Sequence, residues 1–256
     1  MIIDTHAHIT CKQLYKRIDE VKKNAIDNDV KHILIVCTNF EETKLAIELA
    51  KKDEMFDVAT GIHPCDLNDI CEKDWEILEN YLKEKEVIAL GEIGLDYHWD
   101  TVEKGVQKSG FIKQIQLANK LQLPILIHMR ESTQDTLEII KTYAKTNILM
   151  HCYSGSVETA RELWKAGIYT SFAGPITFKN AKGLIDVVKE APKDKIFVET
   201  DCPYLTPHPY RGNENEPKNA RLNFVKLCEI KGCDQEEMKQ QMIENYNDFF
   251  GKKIKI

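Results

Sequence analysis

Ile2-Ile3-Asp4-Thr5-His6-Ala7-His8 is the stretch on which the reading of this chain turns. A short apolar run passes directly into two histidines two residues apart, and on a β-strand that spacing turns both side chains to one face. Two imidazoles side by side at a strand end make half of a metal-binding set. A lone pair of this kind is more often structural than functional, so its partners decide the matter.

Apolar runs of the same kind recur along the 256 residues. They predict strands over 2–5, 32–37, 56–61, 87–91, 125–128, 148–151, 168–172 and 195–199. Between them lie segments with apolar residues three and four apart, such as Trp75, Leu78 and Leu82, or Leu137, Ile140, Tyr143 and Ala144, the spacing of an amphipathic helix. Eight alternating strand–helix units in about 250 residues predict an α/β protein of the (β/α)8 TIM-barrel type, with a doubly wound open sheet as the alternative. No linker, repeat or low-complexity tract divides the sequence, so one domain spanning 1–256 is expected. Residues 234–250 open with Asp234 and Glu236-Glu237 and carry Met238, Met242 and Tyr246 at helical spacing. They predict an additional C-terminal helix packed on the outside. The segment 202–218, with Pro203, Pro207, Pro209, Gly212 and Pro217, is a long irregular loop of the kind that often serves function.

On this map His6 and His8 follow the first strand, His63 the third and Glu92 the fourth. His128 ends the fifth, His151 ends the sixth, and Glu199 and Asp201 close the eighth. In a closed parallel barrel these carboxyl ends converge on one mouth, where such barrels carry their active sites. Taken singly, His128 after Ile125-Leu126-Ile127 could be a hydrogen-bonded core histidine. A glutamate at a buried strand end is rarely left unpaired. Together, four histidines and two carboxylates in one mouth destabilise each other unless cations join them. Two divalent ions answer this, with Glu92 as the bridge, His6, His8 and Asp201 on one ion, and His128 and His151 on the other. Mixed imidazole and carboxylate ligands suit Zn, Mn, Fe or Co, with Mg at the oxygen-rich side.

Other residues serve as controls. His32 begins the second strand, at the barrel's bottom, where residues serve stability. His98 and His208 fall in top loops with no strand to fix them. Arg130 beyond His128 and Arg211 in the long loop carry planar donor forks suited to phosphate; Lys179 is a weaker candidate.

The charge balance, 41 acidic against 35 basic residues for a net −6, excludes the broad positive field that holds long duplexes. Any phosphate contact must be local. No apolar run approaches the ~18 residues of a membrane span and no targeting segment is legible, so a soluble, unprocessed protein with no membrane partner is expected. The eight cysteines contain no C-x-x-C pair. They read as small buried hydrophobes in a reducing, cytoplasmic setting.

Several strings carry a resemblance. Asp4-Thr5-His6-Ala7-His8, Gly61-Ile62-His63-Pro64 and Gly91-Glu92-Ile93-Gly94-Leu95-Asp96-Tyr97 are three of them. His151-Cys152-Tyr153-Ser154-Gly155, Glu199-Thr200-Asp201-Cys202-Pro203-Tyr204-Leu205 and Thr177-Phe178-Lys179-Asn180-Ala181 extend the match over nearly the whole chain. With Arg211-Gly212 leading to Asn215-Glu216-Pro217, they closely resemble the TatD family of metal-dependent deoxyribonucleases. The resemblance implies a TIM-barrel hydrolase with a two-metal centre that cuts DNA phosphodiester bonds, often from a 3′ end and preferring single strands. Its partner would be DNA or an oligonucleotide held at the mouth; no obligatory protein partner is implied. Tyr153 stands where the family often has Phe, Cys202 where it has Ala or Ser, and the insert 206–210 is this chain's own. None of these removes a ligand.

Paired ions in such a site hold a phosphate and activate water. Asp201 is the candidate general base, Glu92 the bridge and Glu199 the residue that orients the set, with a share in proton handling. His63, Arg130 and Arg211 are candidates for positioning the phosphate or leaving group. The nearest rival is an ester or amide hydrolase on the same scaffold, such as a D-aminoacyl-tRNA deacylase. Cyclic amidohydrolases often bridge their metals with a modified lysine where this chain has Glu92. A purely structural metal site is the remaining alternative, and six His and carboxylate ligands argue against the four-ligand, thiolate-rich sites of that class.

Overall fold

Ile33-Leu34-Ile35-Val36-Cys37 is fully buried along its whole length, so the strand that contains it is covered on both faces. Successive side chains of a strand alternate, and here they enter two different cores. Ile33, Ile35 and Cys37 join a large outer cluster with helix residues such as Val21, Ala46, Phe111 and Ile115. Leu34 and Val36 join a second cluster built from one or two residues of every strand. A parallel sheet wrapped by helices demands this continuous apolarity. The computed structural model that shows it describes residues 1–254; the last two positions of the expected 1–256 domain lie outside the described residues.

Eight strands run parallel in sequence order: β1 (Ile2–Ala7), β2 (Val30–Cys37), β3 (Phe56–Thr60), β4 (Val87–Asp96), β5 (Ile125–Arg130), β6 (Ile148–Met150), β7 (Tyr169–Phe172) and β8 (Ile196–Val198). The helices between the first strands are α1 (Lys12–Tyr15), α2 (Ile18–Asp27), α3 (Phe40–Ala50), α4 (Glu72–Tyr81) and α5 (Lys104–Leu121). They are followed by α6 (Thr133–Tyr143), α7 (Val157–Lys165), α8 (Lys182–Glu190), α9 (Ala220–Lys231) and α10 (Gln235–Phe250). The sheet comes round on itself just past β8, where Ala7 bridges Cys202. There the His8 amide donates to the Cys202 carbonyl at 2.9 Å and the Asp201 amide to the His6 carbonyl at 2.9 Å. Thr200 donates from its amide (2.9 Å) and its hydroxyl (2.6 Å) to the buried Asp4 carboxylate. The architecture is a (β/α)8 TIM barrel.

Three expectations need correction. Strand β4 runs to Asp96, five residues beyond the predicted end at Gly91, so Glu92 stands inside the strand; likewise His6 lies within β1 and His128 within β5. Glycines 91 and 94 both sit where a side chain has no room: a Cβ on Gly94 would lie 2.1 Å from the His128 carbonyl oxygen. The segment after 202 is irregular only to Glu216, then folds into a short 3-10 turn and α9. Arg17 and Asn215 pin it. Arg17 donates to Glu214 (2.6 Å) and Glu216 (2.7 Å), and Asn215 Nδ2 donates to the carbonyls of Thr200 (3.0 Å) and Tyr204 (2.6 Å).

Finally, α10 is not packed on the outside. Asp234 caps it by accepting from the Glu236 and Glu237 amides at 2.8 and 3.0 Å. Its far end plugs the barrel floor, where Ile243, Tyr246, Phe249 and Phe250 join the inward residues Ile3, Leu34, Ala59, Leu126 and Phe197. An eight-stranded barrel interior is just filled by its own side chains, and an aromatic-rich helix end closes the opening left at the bottom.

Candidate metal centre

At the opposite end of the barrel the strand ends gather His6, His8, Glu92, His128, His151, Glu199 and Asp201; five of them, His8, Glu92, His128, His151 and Asp201, line one cavity of about 750 Å³, and His6 and Glu199 are fully buried beside them. Glu92 stands in the middle. Its Oε2 lies 3.5 Å from His6 Nε2 and 3.9 Å from His8 Nε2, while its Oε1 lies 2.7 Å from His128 Nδ1 and 2.6 Å from His151 Nε2. Asp201 Oδ1 faces the first group, 3.3 Å from His8 Nε2 and 3.9 Å from His6 Nε2. Asp201 (φ 54°) and Cys152 (φ 43°) hold left-handed backbone where the strands give way to loops. Such conformations cost energy in non-glycine residues and persist where the surroundings impose them.

The ring nitrogens that face away from the centre explain the orientation of three imidazoles. His8 Nδ1 meets the Val36 carbonyl at 2.9 Å. His128 Nε2 meets Asp96 Oδ2 at 2.9 Å, and His151 Nδ1 lies 3.3 Å from Glu199 Oε1. Partners of this kind fix tautomer and ring plane and raise ligand basicity. Glu199 is itself fully buried and accepts from the Cys152 amide at 2.7 Å. His6 is packed between its neighbours, stacked on His151 with ring centroids 4.0 Å apart.

Asp96 is a site residue that the sequence reading missed. It ends β4 and takes the Nε2 of His128 on one oxygen and the amides of His98 (2.9 Å) and Trp99 (3.3 Å) on the other. Its signal was present: Glu92, Gly94 and Asp96 are two apart, which puts both acids on one face of a continuing strand.

The acids and imidazoles of the cavity set one another's charge. Burial opposes ionisation of Glu92, but the charge of His151 and the hydrogen bonds from His128 and His151 overcome it and hold the carboxyl well below its usual range. Burial likewise works against a charged His8, and Asp201 outweighs it, raising the imidazole to about 9. His63 moves the other way: burial pushes it down to about 4. Its Nδ1 accepts the Cys65 amide at 3.2 Å, which leaves a neutral ring with an N–H at Nε2.

The donor set fits divalent cations. Both nitrogens of buried His6 and the Oε2 of buried Glu199 have no hydrogen-bond partner, among the described residues. A buried polar group left unsatisfied costs about 1–3 kcal/mol, so such a concentration of lone pairs points to a positive ion. Groups able to share one ion include His6–His8–Glu92, His63–Glu92–His128 and His6–His151–Glu199.

His63 and Arg130 line the cavity. Arg211 does not; its guanidinium lies 4.2 Å from the centroid of the Phe178 ring. His98 pairs with Glu131 at 2.7 Å, and exposed His208 sits in the loop with its amide on the Thr177 hydroxyl. His32, at the other end of the barrel, is bound to Asp57.

Comparison with known proteins adds the lineage. A family model described as "TatD related DNase" matches residues 3–251. The metal-dependent hydrolase YabD of Bacillus subtilis (strain 168) is 40% identical over 252 residues, covering 98% of this chain and 99% of its own length. The metal-dependent hydrolase YcfH of Escherichia coli (strain K12) is 35% identical, covering 97% and 95%. The crystal structure of YjjV, a TatD homolog from Escherichia coli K12, superposes with a TM-score of 0.93 at 27% identity, covering 98% of each chain. Eight parallel strands, a histidine and carboxylate centre at their carboxyl ends and these matches agree: the chain belongs to the TatD family of metal-dependent hydrolases.

Proposed function

We propose that this protein is a deoxyribonuclease that hydrolyses phosphodiester bonds, shortening single strands from an end with two divalent ions in the mouth. One observation carries the reading. Glu92 directs one carboxylate oxygen to the His6 and His8 side and the other to the His128 and His151 side, so it would serve both of two ions held there. His6, His8 and Asp201 would hold one ion, and His128 and His151 the other. Bound there, divalent ions lower the pKa of water and neutralise charge on a phosphate.

The chain's own residues supply the rest. Asp201 accepts the proton of the attacking water, a role suited to a carboxylate kept ionised by His8. Glu199 acts through His151, holding its Nδ1 so that Nε2 faces Glu92. Neutral His63 presents its Nε2–H toward the leaving oxygen, and Arg130 on the cavity wall meets the phosphate. Arg211, stacked on Phe178, would reach only a strand that extends beyond the cavity. No helix among the described residues is long and apolar enough to cross a membrane. The eight free cysteines support a reducing, cytoplasmic setting.

The test is direct. Purified protein with Mn²⁺, Mg²⁺ or Zn²⁺ shortens an end-labelled oligonucleotide, and chelation stops it. Inertness toward DNA combined with turnover of a D-aminoacyl-tRNA would replace this reading with ester hydrolysis on the same centre.

A further inference from the structure

Four aromatic side chains are exposed among the described residues, Trp99 (54%), Tyr143, Tyr204 (63%) and Tyr210. Two of them, Trp99 and Tyr204, line the cavity over the metal centre. Exposing a Trp and a Tyr gives up apolar burial that the fold would otherwise use, so a pair aimed into one cavity calls for an occupant.

Each is tied to the site through a residue three positions earlier. The Trp99 amide donates to Asp96 Oδ1 at 3.3 Å, and Asp96 holds His128. The Tyr204 amide donates to the Asp201 carbonyl at 2.9 Å, and the Tyr204 ring lies 6.2 Å from the His8 ring. One aromatic therefore stands by the His128 half of the centre and the other by the His8 half. The Arg130 guanidinium lies 5.6 Å from the Trp99 ring centroid, a cation beside the ring. Trp99 also borders a second hollow of about 270 Å³ that contains Lys104.

We propose that Trp99 and Tyr204 are stacking residues that grip unpaired nucleobases on the two sides of the phosphate held at the centre. The inference rests on the phosphodiesterase reading and adds to it which side chains take the base faces that a single strand leaves exposed and a duplex keeps stacked inside. A net charge of −6 gives the chain little general attraction for phosphate backbones. Stacking does not depend on that field and tolerates any base, since each has a π-face. Arg130 beside Trp99 supplies the local positive charge that a backbone passing the ring requires.

Binding is measured apart from cleavage, by fluorescence anisotropy of a labelled oligothymidylate on full-length protein carrying Asp201→Asn. A matched oligomer of abasic residues serves as the comparison. Trp99→Ala and Tyr204→Ala, both at exposed positions, each weaken binding of the oligothymidylate about 5- to 150-fold. They leave the abasic oligomer within about twofold; Trp99→Phe and Tyr204→Phe restore most of the affinity, and Tyr143→Ala, remote from the mouth, changes neither. Equal affinity for both oligomers, or equal loss on both with the alanine variants, overturns the proposal. So does a blunt hairpin that binds as tightly as the single strand. Cleavage by the wild-type chain is scored separately. Base-dependent binding without cleavage leaves the stacking residues standing and removes the nuclease reading, whereas cleavage with base-independent binding does the reverse.

Discussion

The barrel has a buried histidine beside a buried carboxylate at both ends, and the two ends treat them differently. At the floor, His32 Nε2 meets Asp57 Oδ2 at 2.9 Å, the Tyr246 hydroxyl donates to the same oxygen at 2.8 Å, and Lys252 covers Oδ1. One acid receives three donors from β2, α10 and the segment after it. At the mouth five imidazoles and four acids converge, and His6 has, among the described residues, no hydrogen-bond partner at either nitrogen. The floor is a closed account in which protein satisfies protein. The mouth is complete only with something added, and that difference, rather than the residue types, separates a structural cluster from a functional one.

The largest effect comes from striking the mouth where it handles protons. Asp201→Asn lowers turnover of a labelled oligonucleotide about 10²- to 10⁴-fold, with a melting temperature close to the wild type's by circular dichroism. An unchanged rate would remove Asp201 as the base and erase the contrast as drawn.

The floor has the opposite signature. Asp57→Asn leaves turnover per folded molecule unchanged but costs about 3 kcal/mol of stability, because His32 and Lys252 lose a buried charged partner. That corresponds to roughly 6–12 °C in melting temperature for a chain of this size. The pH dependence has a definite sign. Burial opposes ionisation of Asp57, His32 and Lys252 outweigh it, and the folded carboxyl lies below its ordinary 3.8. Its contribution is therefore present above about pH 4 and is lost as pH falls through the folded value. Denaturant titrations show the gap between wild type and variant closing below pH 4. A gap that widened in acid would mean that the floor is not an ion-paired cluster.

These contrasts were only partly legible in the sequence. The strands announced themselves because burial on both faces forces unbroken apolar runs such as Ile33 to Cys37. The mouth followed from where histidines and acids stand relative to those runs. Asp96 escaped because the predicted strand stopped at Gly91, although its spacing from Glu92 was readable. The floor escaped for another reason. Periodicity shows that α10 has an apolar face but not what that face meets, and Tyr246, Phe249 and Phe250 find their partners on strands from β8 back to β1, Phe197 to Ile3. Orientation of the imidazoles was equally invisible, because it depends on atoms such as the Val36 carbonyl that no side-chain pattern records.

Asp96 itself sharpens the comparison, since, like Asp57 at the floor, it has both oxygens hydrogen-bonded. Asp96→Asn loosens His128 without removing a proposed ligand, and a loss of about 10- to 100-fold in metal affinity follows. Titration of the metal-free protein with Mn²⁺ or Zn²⁺ by calorimetry measures it. Added metal restores turnover if Asp96 only positions His128; a deficit that persists at saturating metal would give Asp96 a direct part in the chemistry.

The smallest effect probes how closed the floor is. Tyr246→Phe removes one of the three donors to Asp57 while keeping the ring packed against Phe250, 4.5 Å away between centroids. His32 and Lys252 still hold the carboxylate, so the loss is one hydrogen bond of three, about 1 kcal/mol. A denaturant titration measures it, with metal affinity and turnover untouched. A loss as large as that of Asp57→Asn would show that the hydroxyl, and not the paired charges, organises the floor, making α10 the element on which the barrel's lower end depends.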